Sequence, residues 1–399
     1  MSDFADARQN KKSQIENPAV WVASPQGLAR MQKHLATEPM IAVDTESDSL
    51  YSYFEKVCLL QFSTRETDYV VDSLAFASSQ EDGIVSLGPI FADPKIEKVF
   101  HAAEYDILCL KRDYNFTFEN LFDTMIAARI LGWKSFGLGS ILQARFEVTL
   151  NKKMQRADWG QRPLTQEQIA YAREDTHYLL RLRDLQMAEL EEAGRLEEAR
   201  EQFARLTSIQ PTPRMLDPDA YWNIDGARAL DPIALGVLRE LFRFRDAQAR
   251  KDDRPPFKVM SDSALMRIAE ARPTSPRVLG QLGGVPEVVT RRHATSIISA
   301  VARGVASPQT TVPKPRARND AFLDNRARDR MGKLKEWRKA RAAQRGVETD
   351  VIVSNDVLNA IARKNPKTLD ALIEVTGLGP WKAREYGEEL LAVVLGKKK

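Results

Sequence analysis

From Val20 to about Leu206, short β-branched apolar runs alternate with stretches of helical period, the pattern of an α/β domain. Gln26–Leu35 reads as a short helix that leads into Met40–Glu46, an apolar run predicted to be a buried strand. Lys56–Ser63 and Tyr69–Val71 come next as strands, and Lys98–His101 is a strand running into a helix from Glu104 to Arg112. Such short early spacings suit hairpin-connected strands, with helices packed on the sheet later. Asp123 reads as the N-cap of the helix TMIAARIL, after which comes a glycine-rich turn from Gly132 to Gly139. Thr165 and Gln168, just past Pro163, form a capping-box start for one long helix, and helical character persists through Glu189–Leu206.

Beyond residue 209 the rhythm changes. Gln210–Pro218 reads as a linker, and the chain past it repeats itself at an offset of 93 residues. At that offset Asp231 falls on Asp324, Leu241 on Leu334, Phe244 on Trp337, Arg245 on Arg338, Ser261 on Ser354 and Gly284 on Gly377. Matches without a gap indicate two copies of one small all-helical domain. The expected organisation is a flexible tail over 1–19 and an α/β domain over 20–208. A linker spans 209–230, and helical domains over 231–305 and 323–396 are joined by a basic linker over 306–322. Each copy has a glycine-rich turn before a helix, Gly283-Gly284-Val285-Pro286 and Gly377-Leu378-Gly379-Pro380. Backbone N–H groups at such a helix start can hold a phosphate, and a plain interhelical turn fits the residues equally.

Composition narrows the picture. The 399 residues are 43% hydrophobic and 29% charged, as expected of a soluble globular protein, and no apolar run is long enough for a transmembrane helix. The polar first residues give no expectation of a secretory leader. Cys58 and Cys109 lie in apolar runs without CxxC or Cys/His spacing, so they are expected to be reduced core residues of a cytoplasmic protein, with no zinc site. The net charge of +4 hides a concentration: residues 314–345 carry twelve Lys/Arg against four acids, which leaves the rest of the chain net negative. Charge placed in this way favours a polyanionic partner.

The chemistry begins at the first strand. Side chains in a strand alternate faces, so Asp44 and Glu46 point the same way. Two acids side by side repel unless a cation sits between them, and strand-end acids running into solvent are the other reading of the pair. On the capped helix Tyr171, Asp175, Tyr178, Leu182 and Leu185 form one stripe, with Arg173, His177 and Asp184 opposite. Asp175 thus sits on the face expected to pack, where a carboxylate is costly unless neutralised, hydrogen-bonded or metal-bound. Asp106 lies just past a strand end in the first turn of a helix. His101 reads as support for the sheet end.

Taken together, Asp44-x-Glu46, Asp106 in HAAEYDILCL and Tyr171-x-x-x-Asp175 in YAREDTHYLL resemble the three exonuclease motifs of the DEDD superfamily. Tyr171, four residues before the last acid, is similar to the DEDDy branch. LFDTMIAARIL and QRADWGQRPLTQEQIAYAREDTHYLL resemble the ribonuclease D family, and the tandem modules resemble HRDC domains. The resemblance implies a ribonuclease H-like α/β fold, a mixed sheet flanked by helices, followed by two small all-α domains. It implies a 3′-5′ exoribonuclease that uses two divalent ions, Mg²⁺ or Mn²⁺, to release nucleoside 5′-monophosphates from RNA 3′ ends, with tRNA precursors as the expected substrates. Asp44 would bridge both ions, Glu46 and Asp175 would complete the first site, Asp106 would hold the second, and Tyr171 would orient the attacking water. Ser47 stands where relatives carry a base-contacting aromatic, a task for which Tyr51, Tyr53 and Phe54 are the nearby candidates. Tyr51, Arg338, Gly377, Gly379 and Lys382 are the candidate nucleic-acid contacts. A DNA 3′-5′ exonuclease and a non-catalytic nucleic-acid-binding adaptor remain as alternatives.

Overall fold

The computed structural model describes residues 17–77, 83–151, 153–212, 216–309 and 324–396. Most of the N-terminal tail and of the basic linker lies outside the described residues. The described residues fall into two compact units, one drawn from those within 1–46, 57–211 and 317–399, the other from those within 47–56 and 212–316.

The first unit is built on a six-stranded mixed sheet: β1 (Ala19–Val22), β2 (Met40–Ser47), β3 (Val57–Ser63), β4 (Asp68–Asp72), β5 (Glu97–Phe100) and β6 (Leu121–Asp123). Their spatial order is β1-β4-β3-β2-β5-β6. β3 and β4 run antiparallel as the predicted hairpin, while β1 pairs with β4, β5 with β2 and β6 with β5 in parallel. Sequence reading missed β1 and β6. Three or four residues are too few to establish a period, and both strands sit at sheet edges.

Among the described residues eight helices flank the sheet: α1 (Pro25–Leu35), α2 (Gly88–Ala92), α3 (Glu104–Tyr114), α4 (Thr124–Leu131), α5 (Leu138–Phe146), α6 (Gln166–His177), α7 (Leu179–Glu192) and α8 (Leu196–Ser208). On one face Ile41 and Val43 of β2 join a core with α1 and α3. On the other, Ala42, Val99 and Phe122 pack against α4, α7 and α8. The capping box at Thr165 and Gln168 forms as expected. The long helix, however, divides at Tyr178, which closes α6 and precedes α7. α6 packs on β3 and β4 whereas α7 packs on α4 and β5, and one straight helix cannot reach both surfaces.

The same unit contains the second helical module, α14 (Asn325–Arg345), α15 (Thr349–Ile352), α16 (Asn355–Lys364), α17 (Leu369–Thr376) and α18 (Pro380–Leu395). The second unit holds the first copy, α9 (Pro232–Lys251), α10 (Pro256–Val259), α11 (Asp262–Ala271), α12 (Pro276–Gly280) and α13 (Glu287–Ala306), together with the segment 47–56. Tyr221 and Trp222, in the stretch read as linker, are buried in its core. The 93-residue repeat becomes physical here. Asp231 and Asp324 cap α9 and α14, and Ser261 and Ser354 cap α11 and α16. Among the described residues no helix is long and apolar enough to cross a membrane.

Candidate active site

Alternation along β2 sets the site. Asp44 and Glu46 share the face of Ala42, and Thr45 shares the opposite face of Ile41 and Val43. Above β3 and β4, α6 brings Asp175 and, one turn before it, Tyr171 to the same place. One carboxylate oxygen from each of Asp44, Glu46 and Asp175 lies within 4.8 Å of the others. They open into a cavity of about 480 Å³ that Tyr171, His101 and the start of α5 also line.

Asp106 stands apart from this trio. It is buried on α3, on the Thr45 side of the strand, and the Thr45 hydroxyl donates to its Oδ1 at 2.5 Å. It is still close enough for its charge to act on Glu46 and Asp175. Asp123 is the cap that sequence predicted: it accepts from the backbone N–H groups of Met125 and Ile126, and also from Ala102 and Ala103.

The electrostatics are those of half-buried acids crowded on one wall of a cavity. Burial, and then the neighbouring Asp175 charge, hold the Asp44 carboxyl well above the usual carboxylate range. Burial and the charges of Asp44, Asp175 and Asp106 push Glu46 up to about 10. Asp175 is pushed up to about 7 by burial and by Glu174, against the hydrogen bond it accepts from Tyr171. The Tyr171 phenol is raised by burial and by the same three carboxylates, so it stays a neutral hydroxyl. An all-oxygen donor set whose members repel one another fits a hard divalent cation.

Three neighbours were not assigned to the site from the sequence. Thr45 holds Asp106, a role that strand alternation could have revealed. His101 lines the cavity with its Nδ1 2.8 Å from the Thr124 hydroxyl, and burial holds its pKa down to about 4, so the ring is neutral. Trp159 packs beside Tyr171 with ring centroids 5.9 Å apart. No periodicity marks either ring.

A family model described as 3′-5′ exonuclease matches residues 19–191, and the HRDC domain model matches residues 234–301 and 327–394. The chain is similar to the crystal structure of the catalytic core of RRP6 from Trypanosoma brucei, with a TM-score of 0.68 and 32% identity over 74% of this chain and 81% of that one. The chain belongs to the 3′-5′ exonuclease family of ribonuclease D and RRP6. Within the family it is 26% identical over 392 residues to ribonuclease D of Granulibacter bethesdensis, covering 98% of this chain and 95% of that protein. It is 33% identical over 333 residues to the exosome complex exonuclease RRP6 of Saccharomyces cerevisiae, covering 78% of this chain. The chain spans between 33% and 45% of the length of three RRP6-type curated relatives it matches.

Two of the expected nucleic-acid contacts of this family member, Arg338 and Lys382, are engaged inside the protein. Arg338 is buried and donates to the Val353 carbonyl at 2.9 Å and to Asn355 at 3.0 Å, as its repeat partner Arg245 does to Met260 and Asp262. The start of α18 already holds an anion, the Glu201 carboxylate, which accepts from the Trp381 N–H at 2.6 Å. A Cβ at Gly379 would meet that carboxylate, which would have to shift to admit it. Gly377 takes a left-handed conformation to end α17. Lys382 is buried and donates to the Val351 carbonyl at 2.6 Å, and burial lowers its pKa to about 8. Tyr51 belongs to the second unit, where its ring lies 3.5 Å from the Lys258 ammonium.

Proposed function

We propose that this protein is a metal-dependent 3′-5′ exoribonuclease that releases nucleoside 5′-monophosphates from RNA, with 3′-extended tRNA precursors as the natural substrate class. The observation that carries the reading is the convergence of Asp44, Glu46 and Asp175 within 4.8 Å on a cavity that Tyr171 also lines. In this proposal Asp44, Glu46 and Asp175 hold two divalent ions, Mg²⁺ or Mn²⁺, with Asp106 behind them. When bound, the ions supply an activated water and stabilise the leaving 3′-oxygen. Tyr171, kept neutral and hydrogen-bonded to Asp175, orients the water as a donor and does not act as a base. His101, neutral at physiological pH, adds no positive charge to the wall of the cavity.

The test is degradation of matched uniformly labelled RNA and DNA strands with Mg²⁺ or Mn²⁺. Asp44→Asn and Asp175→Asn are expected to abolish mononucleotide release while leaving RNA binding largely intact. Full activity in either variant would remove the metal assignment. Faster shortening of the DNA strand would reassign the substrate. Absence of mononucleotides from every 3′ end tried would favour a nucleic-acid-binding adaptor.

A further inference from the structure

α6 presents its site residues on one stripe and two basic residues on another. Tyr171 and Asp175 are four residues apart, as are Arg173 and His177, and the second pair is offset from the first by two positions, about 200° around the helix. A polar face turned away from a site is ordinarily solvated. Here it is packed: both side chains reach one buried carboxylate, Asp68 at the start of β4.

Asp68 is fully engaged. Its Oδ2 accepts from Arg173 at 3.1 Å and from His177 Nδ1 at 3.0 Å. Its Oδ1 accepts from the Ser63 hydroxyl at 2.8 Å and from the Asn17 amide at 3.1 Å. The Thr176 hydroxyl, wholly buried, stands 2.8 Å from that of Ser63, and Arg173 also donates to the Asn17 carbonyl at 2.7 Å. Three side chains of α6, on either side of Asp175, are thus tied to the β3–β4 hairpin and to the segment that precedes β1.

The load on this helix is evident from the other face. Asp175 is held toward Asp44 and Glu46, and when these are ionised their repulsion drives α6 off the sheet. A helix packed only by apolar contacts could relieve that repulsion by rotating or sliding.

We propose that Arg173, Thr176 and His177, through Asp68, are positioning residues that fix the rotation of α6 and so deliver Asp175 and Tyr171 to the metal site. This rests on the metal-dependent reading above. The node sets the geometry of the carboxylate trio before an ion arrives, and a loosened helix binds metal more weakly without losing its grip on RNA elsewhere.

The experiment separates this from its parent reading by measuring metal binding apart from turnover. Mn²⁺ is titrated calorimetrically into the full chain and into Arg173→Ala, His177→Ala and His177→Asn, the last placing an amide N–H where imidazole Nδ1 stands. Melting temperature, kcat and the KM for RNA are measured on the same samples. The alanine variants are expected to bind Mn²⁺ about tenfold more weakly, in line with the loss of a residue that orients a ligand. Their kcat should fall with KM for RNA within about twofold, and His177→Asn should recover most of both losses. Folded alanine variants with wild-type Mn²⁺ affinity would overturn the proposal. So would losses that track melting temperature and are not recovered by asparagine. Should His177→Ala fail to fold, Arg173→Lys and Thr176→Val report on the same node by the same criteria. If the wild-type chain binds Mn²⁺ but degrades nothing, the nuclease reading fails while the titration still decides the role of the node.

Discussion

Glu46 and Asp175 titrate far from the range of free carboxylates, and the direction has a consequence for stability. In an unfolded chain both lose their protons near pH 4. In the folded chain burial and neighbouring charge keep Asp175 protonated to about 7 and Glu46 to about 10. Between those limits the native state binds more protons than the unfolded state, so stability falls as pH rises from about 4 through the folded values. A bound cation removes the repulsion and displaces the protons. The metal-free protein should therefore melt at progressively lower temperature from pH 5.5 to 8. Mg²⁺ should raise the melting temperature more at pH 8 than at pH 5.5, and Glu46→Gln should flatten the metal-free decline. Thermal denaturation with and without Mg²⁺ at three pH values measures this, and a Mg²⁺ shift independent of pH would contradict it. Asp68 runs the other way. Burial opposes its ionisation, but the hydrogen bond and charge of His177, with hydrogen bonds from Ser63 and Asn17, win and lower its pKa. It stabilises the fold above about pH 4 and is lost as a support only as pH falls through its lowered value.

At the scale of elements, what the sequence disclosed was whatever repeats with a short period or sits at a fixed spacing. β2 and its two acids, the capped α6 with Tyr171 and Asp175, and the 93-residue duplication were all readable because each obeys such a rule. The rest depends on tertiary neighbours that no local pattern encodes: the break at Tyr178, the edge strands, the Thr45–Asp106 bond and the packing of Arg173 and His177. α14 shows the limit most clearly. Its sequence is a dense basic run, yet Arg330 donates to the Ala362 carbonyl, Arg338 to Val353, and Arg341 and Arg345 pair with Glu389 and Glu198. Arg326, Arg328, Lys335 and Lys339 remain exposed. Counting charge along the chain therefore overstates the charge offered to a polyanion. Lys335→Ala and Lys339→Ala are expected to weaken RNA binding and to lower the slope of log affinity against log salt by about one unit each at phosphate-contacting positions. Arg338→Ala is expected instead to leave that slope unchanged and to cost about 1–3 kcal/mol of stability, through the buried carbonyl it abandons. Salt-dependent binding isotherms and denaturant melts separate the two classes, and a salt effect confined to Arg338 would reverse the assignment.

Across the first unit, the second helical module is joined to the exonuclease fold by a buried ionic contact. Glu198 on α8 is wholly buried and accepts from Arg345 at 2.5 and 3.1 Å, and Arg345 also donates to the Tyr386 hydroxyl at 2.5 Å. Arg195 bonds the Arg345 carbonyl, Arg129 pairs with Asp350, and Glu201 caps α18. Gly132, in a left-handed conformation at the end of α4, lies where a Cβ would overlap the Gly346 carbonyl oxygen, so the two backbones meet without a side chain between them. Val351 enters the core formed by α4, α7 and α8. A module fixed in this way is part of the nuclease fold, and removing it exposes apolar surface around Phe203 and strands Glu198. Deleting residues 306–399 would therefore confound lost RNA contacts with lost stability, whereas single substitutions do not. Arg345→Met leaves Glu198 buried without its cation and is expected to cost about 3–5 kcal/mol, while Glu198→Leu combined with Arg345→Met should recover most of that loss. Denaturant unfolding of the single and double variants provides the measurement. A double variant as unstable as the single one would show that packing geometry, and not the unpaired charge, sets the strength of the joint.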